Sequence, residues 1–257
     1  METIALPTPP GDTASPFFTR HAAAYAQSPG HARGEDLRLL VEALDPQAGQ
    51  LACDVATGTG HTAMALAACG AEVDAADPTP AMLAEAERLA AERGLDGRIR
   101  WVRAAVDNLP LRAGHYHCVT CRRAFHHFPD PGHALTAMVR LLVAGGRLGV
   151  SDMCPPTELA VDTNRLERLR DPTHREALTD DTWRALLARA GLTIRYWRTQ
   201  EERSSLTQWL APVRLGEPAG LAVQVALGAL PPARRERLQG GVPDGWVKRR
   251  LVFVAER

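Results

Sequence analysis

The sequence predicts an α/β domain with a parallel sheet covered by helices on both faces. Three observations predict it. Helical and extended patterns alternate between residues 51 and 151, as βαβ units do. Two extended stretches, LACDV and RLGVS, are nearly continuous apolar runs, as strands buried on both sides require. A loop of small residues, Ala56-Thr57-Gly58-Thr59-Gly60, joins the first of these runs to an Ala-rich helical stretch. A chain of 257 residues can bury a full core.

The elements follow in order. Phe17 to Ser28 and Glu35 to Leu44 read as helices, Leu51 to Val55 as a strand and His61 to Cys69 as a helix. Glu72 to Ala76 reads as a strand. Pro80 to Arg93 is a helix with Pro in its first turn and Gly94 just past its end, as caps require. Ile99 to Arg103 and His117 to Cys121 are strands. Gly132 to Leu142 is a helix closed by the turn Ala144-Gly145-Gly146, and Arg147 to Ser151 is a strand. Beyond Pro155 come two helices, Glu158 to Arg170 and Asp180 to Ala190, the second with Thr179 as N-cap and Gly191 as terminator. Leu192 to Arg198 alternates like a strand. Residues 204–240 read as helical pieces broken by Pro212, Pro218 and Pro231-Pro232, and Trp246 to Ala255 is a final strand. This reading puts residues 1–16 in a disordered lead-in and residues 17–257 in one domain, with helical insertions near 155–185 and 204–240.

Composition narrows the partners. The net charge is zero, which argues against nucleic acid, since such domains carry a basic excess. No run approaches the roughly 18 apolar residues of a membrane span. The N-terminus lacks the basic start and apolar core of a signal peptide. Five scattered cysteines fit a reducing cytoplasm. Cys118-x-x-Cys121 invites a metal reading, but no second pair lies at zinc spacing, and residues three apart on a strand face opposite ways. No metal site is expected.

The small-residue loop lets a backbone approach a ligand, and the next helix points its N-terminus there. Ligands of open α/β sheets lie outside the carboxyl ends of the strands. Asp77 ends the second strand, nineteen positions after Gly58, where an acid can take both hydroxyls of a ribose. Gly58-x-Gly60-x-x-Ala63 also satisfies a relaxed dinucleotide fingerprint. Asp54 separates the two readings. A carboxylate before the loop would face a pyrophosphate unfavourably but suits an ammonium. S-adenosylmethionine (SAM) carries a ribose, an ammonium and a sulfonium, and no phosphate.

At this point the sequence resembles a family. Asp54 to Gly60 is similar to motif I of the class I SAM-dependent methyltransferases, and VDAADPTPAMLAEA (Val73 to Ala86) to their second motif. LPLRAGHYHCVTCRRAFHHFPDP and RLLVAGGRLGVSD resemble the later ones. The nearest subgroup is the ubiquinone/menaquinone C-methyltransferase-like enzymes of small molecules. The resemblance implies a Rossmann-like, doubly wound seven-stranded sheet of order 3-2-1-4-5-7-6 with the seventh strand antiparallel. It also implies roles. Asp54 and the backbone of Ala56, Thr57, Gly58 and Gly60 would face the methionine end, Asp77 the ribose, and Pro78 and Met82 the adenine. Tyr25 would close over the cofactor. The family's GDAExLP reads Ala104-Ala105-Val106-Asp107-Asn108-Leu109-Pro110, so Ala105 replaces the acid that meets the adenine amino group, with Val106 and Asp107 beside it. The family usually has glycine at Ala56, a mild change if the backbone there needs no positive φ.

For the chemistry, His126 and His127 follow the fourth strand, and His126 is the first candidate base. His174, in the loop with Asp171 and Pro172, is the second. Arg122 could meet the methionine carboxylate, because guanidinium suits carboxylates bidentately. The helical insertions are expected to cover an apolar acceptor, and Trp183, Trp197 and Trp209 could line it or, as lone tryptophans more often do, belong to the core. The resemblance therefore implies a cytoplasmic SAM-dependent methyltransferase acting on a small molecule, with a homodimer as an open assembly state. Two rivals remain: a SAM- or S-adenosylhomocysteine-binding protein that does not methylate, and a nicotinamide-dependent oxidoreductase.

Overall fold

The computed structural model describes residues 14–257. The chain opens with helices α1 (Ala14–Gln27), α2 (Pro29–Arg33) and α3 (Glu35–Leu44). It then alternates: β1 (Leu51–Val55), α4 (His61–Ala68), β2 (Glu72–Ala76), α5 (Pro80–Glu92), β3 (Ile99–Val102), β4 (Tyr116–Arg122), α6 (Pro131–Leu141) and β5 (Leu142–Met153). Helices α7 (Ala160–Arg170) and α8 (Asp180–Arg189) lead to β6 (Thr193–Ser205). Three further helices, α9 (Leu206–Leu210), α10 (Pro218–Gly228) and α11 (Pro232–Gln239), precede β7 (Gly245–Glu256).

The seven strands form one sheet of order β3-β2-β1-β4-β5-β7-β6. The first five pair in parallel, and β7 runs antiparallel to both β5 and β6. Order and direction are those the resemblance implies. Strand alternation divides the apolar side chains between two layers. Cys53, Val55, Val119, Cys121, Val150 and Phe253 pack under α6 and α8. Ala52, Val73, Ala75 and Cys118 pack with Leu44, Met64 and Ala90 under α3, α4 and α5. Cys118 and Cys121 thus sit on opposite faces, both fully buried.

Four differences from the sequence reading have physical causes. The lead-in expected over 1–16 lies outside the described residues up to 13, and α1 already begins at Ala14. The turn at Ala144-Gly145-Gly146 is absorbed into the start of β5, where Gly145 takes φ +74° and the β4 pairing shifts register. Strand β6 runs on to Ser205 because β7 pairs with it along its whole length, from Thr193–Glu256 to Ser205–Gly245. The hairpin overhangs the sheet. On that overhang the fourth difference appears: α9, α10 and α11 build their own core, with Leu210, Val223, Leu227 and Leu238 around Trp246. Of the two places open to the tryptophans, the structure takes the core. Trp183 packs on Phe125 and Phe253, Trp197 stacks on Phe253, and Trp209 stacks on Trp246 at 3.8 Å. No helix among the described residues is long and apolar enough to cross a membrane.

Candidate functional site

A cavity of about 390 Å³ opens at the carboxyl ends of β1, β2 and β4. Its floor is the loop after β1, whose geometry is unusual. Ala56, Gly58 and Gly60 all have positive φ, at 54°, 54° and 77°. The condition under which alanine at position 56 would be harmless is therefore not met: its Cβ sits in the left-handed region, at a cost of about 1–2 kcal/mol. The loop holds because its amides are tied inward. Thr57 N–H donates to the Ala76 carbonyl and Gly60 N–H to the Thr57 carbonyl, both at 2.9 Å. Gly60 is fixed sterically as well, since a Cβ there would lie 2.8 Å from Trp101 and 2.9 Å from Ala86.

Asp77 closes this loop from the side. Its Oδ2 accepts from Gly58 N–H at 2.9 Å and its Oδ1 from Thr79 N–H at 2.8 Å, which orients the carboxylate along the cavity wall. Asp54 acts from behind. It is 1% exposed, does not line the cavity, and accepts from the hydroxyls of Thr57 and Thr120 at 2.6 and 2.7 Å. Burial pushes its carboxyl up to about 6, against the pull of those two hydroxyls. Gly60 also lies outside the lining. The remaining wall on this side is Pro78, Met82, Ala104, Ala105, Val106 and Asp107. A Cβ on Gly58 would meet nothing within 4 Å, so the loop leaves open space in front of it.

The opposite wall comes from the N-terminal helices and the end of β4. Phe18 and Tyr25 of α1 and His31 of α2 line it. Burial and the charge of Asp171 push the Tyr25 phenol up to about 12, so it stays protonated at neutral pH. Arg122 and Arg123 also line the cavity, but their guanidinium groups are engaged in a buried cluster. Asp36, fully buried, accepts from Arg122 Nε at 2.7 Å and from Arg123 Nη2 at 2.7 Å. Arg122 also donates to the carbonyls of His31 and Gly30, at 2.9 and 3.0 Å. Arg250 stands 3.9 Å from Asp36 and donates twice to Glu202. Burial alone would raise the Asp36 carboxyl, yet Arg250, Arg122 and Arg123 outweigh it and hold it far below the usual range. Arg122 thus splints α2 and α3 to the end of β4 as well as facing the cavity.

The two candidate bases lie behind the wall. His126 bonds Asp152 at 2.5 Å through Nδ1, and His174 bonds Asn164 at 2.7 Å through Nε2; neither lines the cavity. Burial lowers His174 to about 4. In their place His127 reaches the wall, with Phe128, Pro129, Thr173 and Arg175. Two adjacent histidines cannot both face one cavity on a tight turn, and the sequence offered no way to choose between them. Phe18, His31, His61 and Thr173 are among the lining residues that sequence reasoning did not single out. The first insertion contributes Thr173 and Arg175, whereas no residue of 204–240 lines the cavity. Its own neighbourhood is the overhanging hairpin.

Comparison with known proteins agrees with this architecture. A methyltransferase-domain family matches residues 52–146, the segment from β1 to the start of β5. The uncharacterised methyltransferase YcgJ of Bacillus subtilis is 30% identical over 213 residues, covering 81% of this chain and 82% of that protein. Its crystal structure superposes with a TM-score of 0.78 over 86% of this chain and 97% of that one. A demethylmenaquinone methyltransferase of Thermus thermophilus is 41% identical over 128 residues, 48% of this chain and 57% of that enzyme. The [4+2]-cyclase SpnF shares the fold at 19% identity, with a TM-score of 0.68 over 98% of both chains. Sheet order, loop position and the extent of the match to YcgJ converge: this chain belongs to the class I methyltransferase family.

Proposed function

We propose that this protein transfers the methyl group of SAM to a small-molecule acceptor. One observation carries the choice of nucleoside. The amides of Thr57, Gly58 and Gly60, which a pyrophosphate would need, are donated to Ala76, Asp77 and Thr57. The surrounding wall, 56–62, 77–82 and 104–107, contains no Arg or Lys and contributes the acids Asp77 and Asp107. A dinucleotide would meet these acids and three amides already committed, whereas a cationic nucleoside without phosphate suits this wall. The cavity also matches such a ligand in size, since pockets for molecules of this class run from about 300 Å³ upward.

In this reading Asp77 takes the ribose hydroxyls, and Pro78, Met82 and Val106 flank the adenine. Ala105 offers no acceptor to the adenine amino group, and the lost bond costs about 1 kcal/mol, roughly a factor of five in affinity. Asp54 holds Thr57, and so the loop, through its buried hydroxyl bond. When bound, SAM supplies an electrophilic methyl on a sulfonium. The protein's part is to align an acceptor with it and keep water away. Phe18, Phe128 and Pro129 give that end of the cavity apolar walls, which favours an aromatic or otherwise apolar acceptor.

The test is calorimetric titration with SAM, S-adenosylhomocysteine and the nicotinamide dinucleotides, followed by transfer of labelled methyl to an acceptor panel. Micromolar SAM binding with label in a product is expected. Dinucleotide binding alone would overturn the reading. Tight SAM binding with no label transferred to any acceptor would favour a non-methylating protein on this fold.

A further inference from the structure

Beside the cavity, a chain of hydrogen bonds leads from a histidine to a buried carboxylate. His127 lines the cavity, and its Nδ1 lies 3.0 Å from Thr173 Oγ1 and 3.3 Å from the Thr173 carbonyl. The Thr173 hydroxyl, the nearer of the two, has one hydrogen and gives it to Asp171, so toward Nδ1 it accepts and Nδ1 carries the hydrogen. The Thr173 hydroxyl in turn donates to Asp171 Oδ1 at 2.6 Å, and the same oxygen takes Thr173 N–H at 2.8 Å. Asp171 is 5% exposed. Each donor in the series is fixed by the acceptor behind it. Imidazole with Nδ1–H presents the Nε2 lone pair, and Nε2 is the ring nitrogen left for a ligand.

We propose that His127 is the proton acceptor for a phenolic hydroxyl in the cavity, and that Thr173 and Asp171 are positioning residues that set its tautomer. The proposal rests on the methyltransferase reading above. In the transfer the acceptor oxygen forms a bond to the methyl carbon. The bond from that carbon to the sulfonium sulfur breaks, its electron pair staying on sulfur. The hydroxyl proton passes to His127 Nε2. Asp171, reached through Thr173, then faces the new imidazolium, as an orienting carboxylate does in other base-assisted transfers.

The groups around His127 explain why the acceptor should be acidic. His126 packs against it with ring centroids 4.0 Å apart, and Phe18 covers it edge-on at 5.1 Å. Burial lowers its basicity, and His126 lowers it further, while Asp171 and Asp152 pull the other way. The imidazole is therefore neutral at physiological pH and free to accept, but it is a weak base. The weaker a base, the more acidic the hydroxyl it can relieve of a proton. A phenol, near pKa 10, is closer to this base than any aliphatic alcohol. The aromatic wall of Phe18 and Phe128 suits a flat ring as well.

The deciding experiment uses the full chain labelled with ¹⁵N-histidine, with His127→Asn identifying the His127 signals. The proposal expects the Nδ1–H tautomer in the unmodified protein, loss of that preference in Thr173→Val, and its return in Thr173→Ser. An Nε2–H tautomer, or one indifferent to Thr173→Val, would overturn it. In a parallel arm, labelled methyl transfer is measured with catechol and with 4-nitrophenol, the latter largely ionised at pH 8. His127→Asn should lower kcat for catechol by about 100-fold, spare 4-nitrophenol, and leave the SAM Kd in place. Equal losses with both acceptors, or transfer by the unmodified protein to neither, would overturn the base role. Failure to bind SAM would instead sink the methyltransferase reading, and the tautomer result would stand apart from it.

Discussion

Replacing Ala56 with glycine should stabilise the protein. Ala56 sits at φ +54° at the head of the loop after β1, where an L side chain costs about 1–2 kcal/mol. Two effects oppose the relief. Glycine gains freedom in the unfolded chain, worth about 0.4–1 kcal/mol. The Ala56 methyl also packs, half-buried, against the main core, and losing it costs a few tenths, since a fully buried CH₂ is worth about 0.8 kcal/mol. At the middle of these ranges the net gain is about 0.5 kcal/mol, and a domain of this size gains about 2–4 °C in Tm per kcal/mol. The converse change isolates the backbone part. Gly58 has the same φ of 54°, and a Cβ there would touch nothing within 4 Å. Gly58→Ala should therefore lower Tm by about 1–4 °C, with no packing effect to offset it. Urea denaturation of both variants at constant m gives the free energies directly. If both substitutions shift stability in the same direction, positive φ does not govern this loop and the reasoning fails.

The other expectations concern the loop's partners and the buried charges. Asp77→Ala should weaken SAM binding by about 10–100-fold, the range for hydrogen bonds to a charged group, and Ala105→Asp should leave it equal or tighter; calorimetry reads both. Gly60→Ala forces a methyl against Trp101 at positive φ, so it should cost about 3 kcal/mol or more, visible as a large drop in Tm. Asp36→Asn strands Arg122, Arg123 and Arg250 around a neutral group and should cost about 3–5 kcal/mol. The same cluster predicts acid sensitivity. The folded values of Asp36 and Glu167 are depressed, because Arg250, Arg122 and Arg123 in one case and Lys248 and Arg170 in the other outweigh burial. Their stabilisation is complete above the ordinary carboxylate range near pH 4 and is lost as pH falls below it. Thermal unfolding between pH 7 and 3 should show this loss, and Asp36→Asn should flatten the slope.

The central sheet was readable because its signals are local. A buried parallel strand must be apolar along its length, as LACDV is, and Pro80, Gly94, Thr179 and Gly191 mark helix ends by chemistry confined to one turn. Asp77 was readable for the same reason: an acid at a strand end, a fixed distance from a glycine loop. What escaped depends on tertiary placement. Whether His126 or His127 faces the cavity is decided by Asp152, which captures His126, and by Thr173, which captures His127. The role of Arg122 depends on Asp36, 86 positions away. The left-handed backbone at Ala56 is invisible because alanine does not advertise it. The insertion over 204–240 was recognised as helical, but its position on the β6–β7 overhang is set by strand pairing, which hydropathy does not encode.

The buried arginine cluster ties an early helix to the last strand of the sheet. Asp36 belongs to the third helix, Arg250 to the last strand, and their ion pair lies behind the wall built by Gly30, His31 and Arg122. A ribosome delivers these parts in order, and segments fold as they emerge. The β1 loop and Asp77 can form early, as can the bonds from Arg122 to the helical wall opposite them, but the Asp36 cluster behind that wall lacks its third arginine until β7 is made. A chain stopped short of β7 would keep the loop side of the cavity and leave Asp36 with two of its three arginines. Loop and wall thus mature in sequence in this protein, the bracing of the second waiting on the strand that carries Arg250.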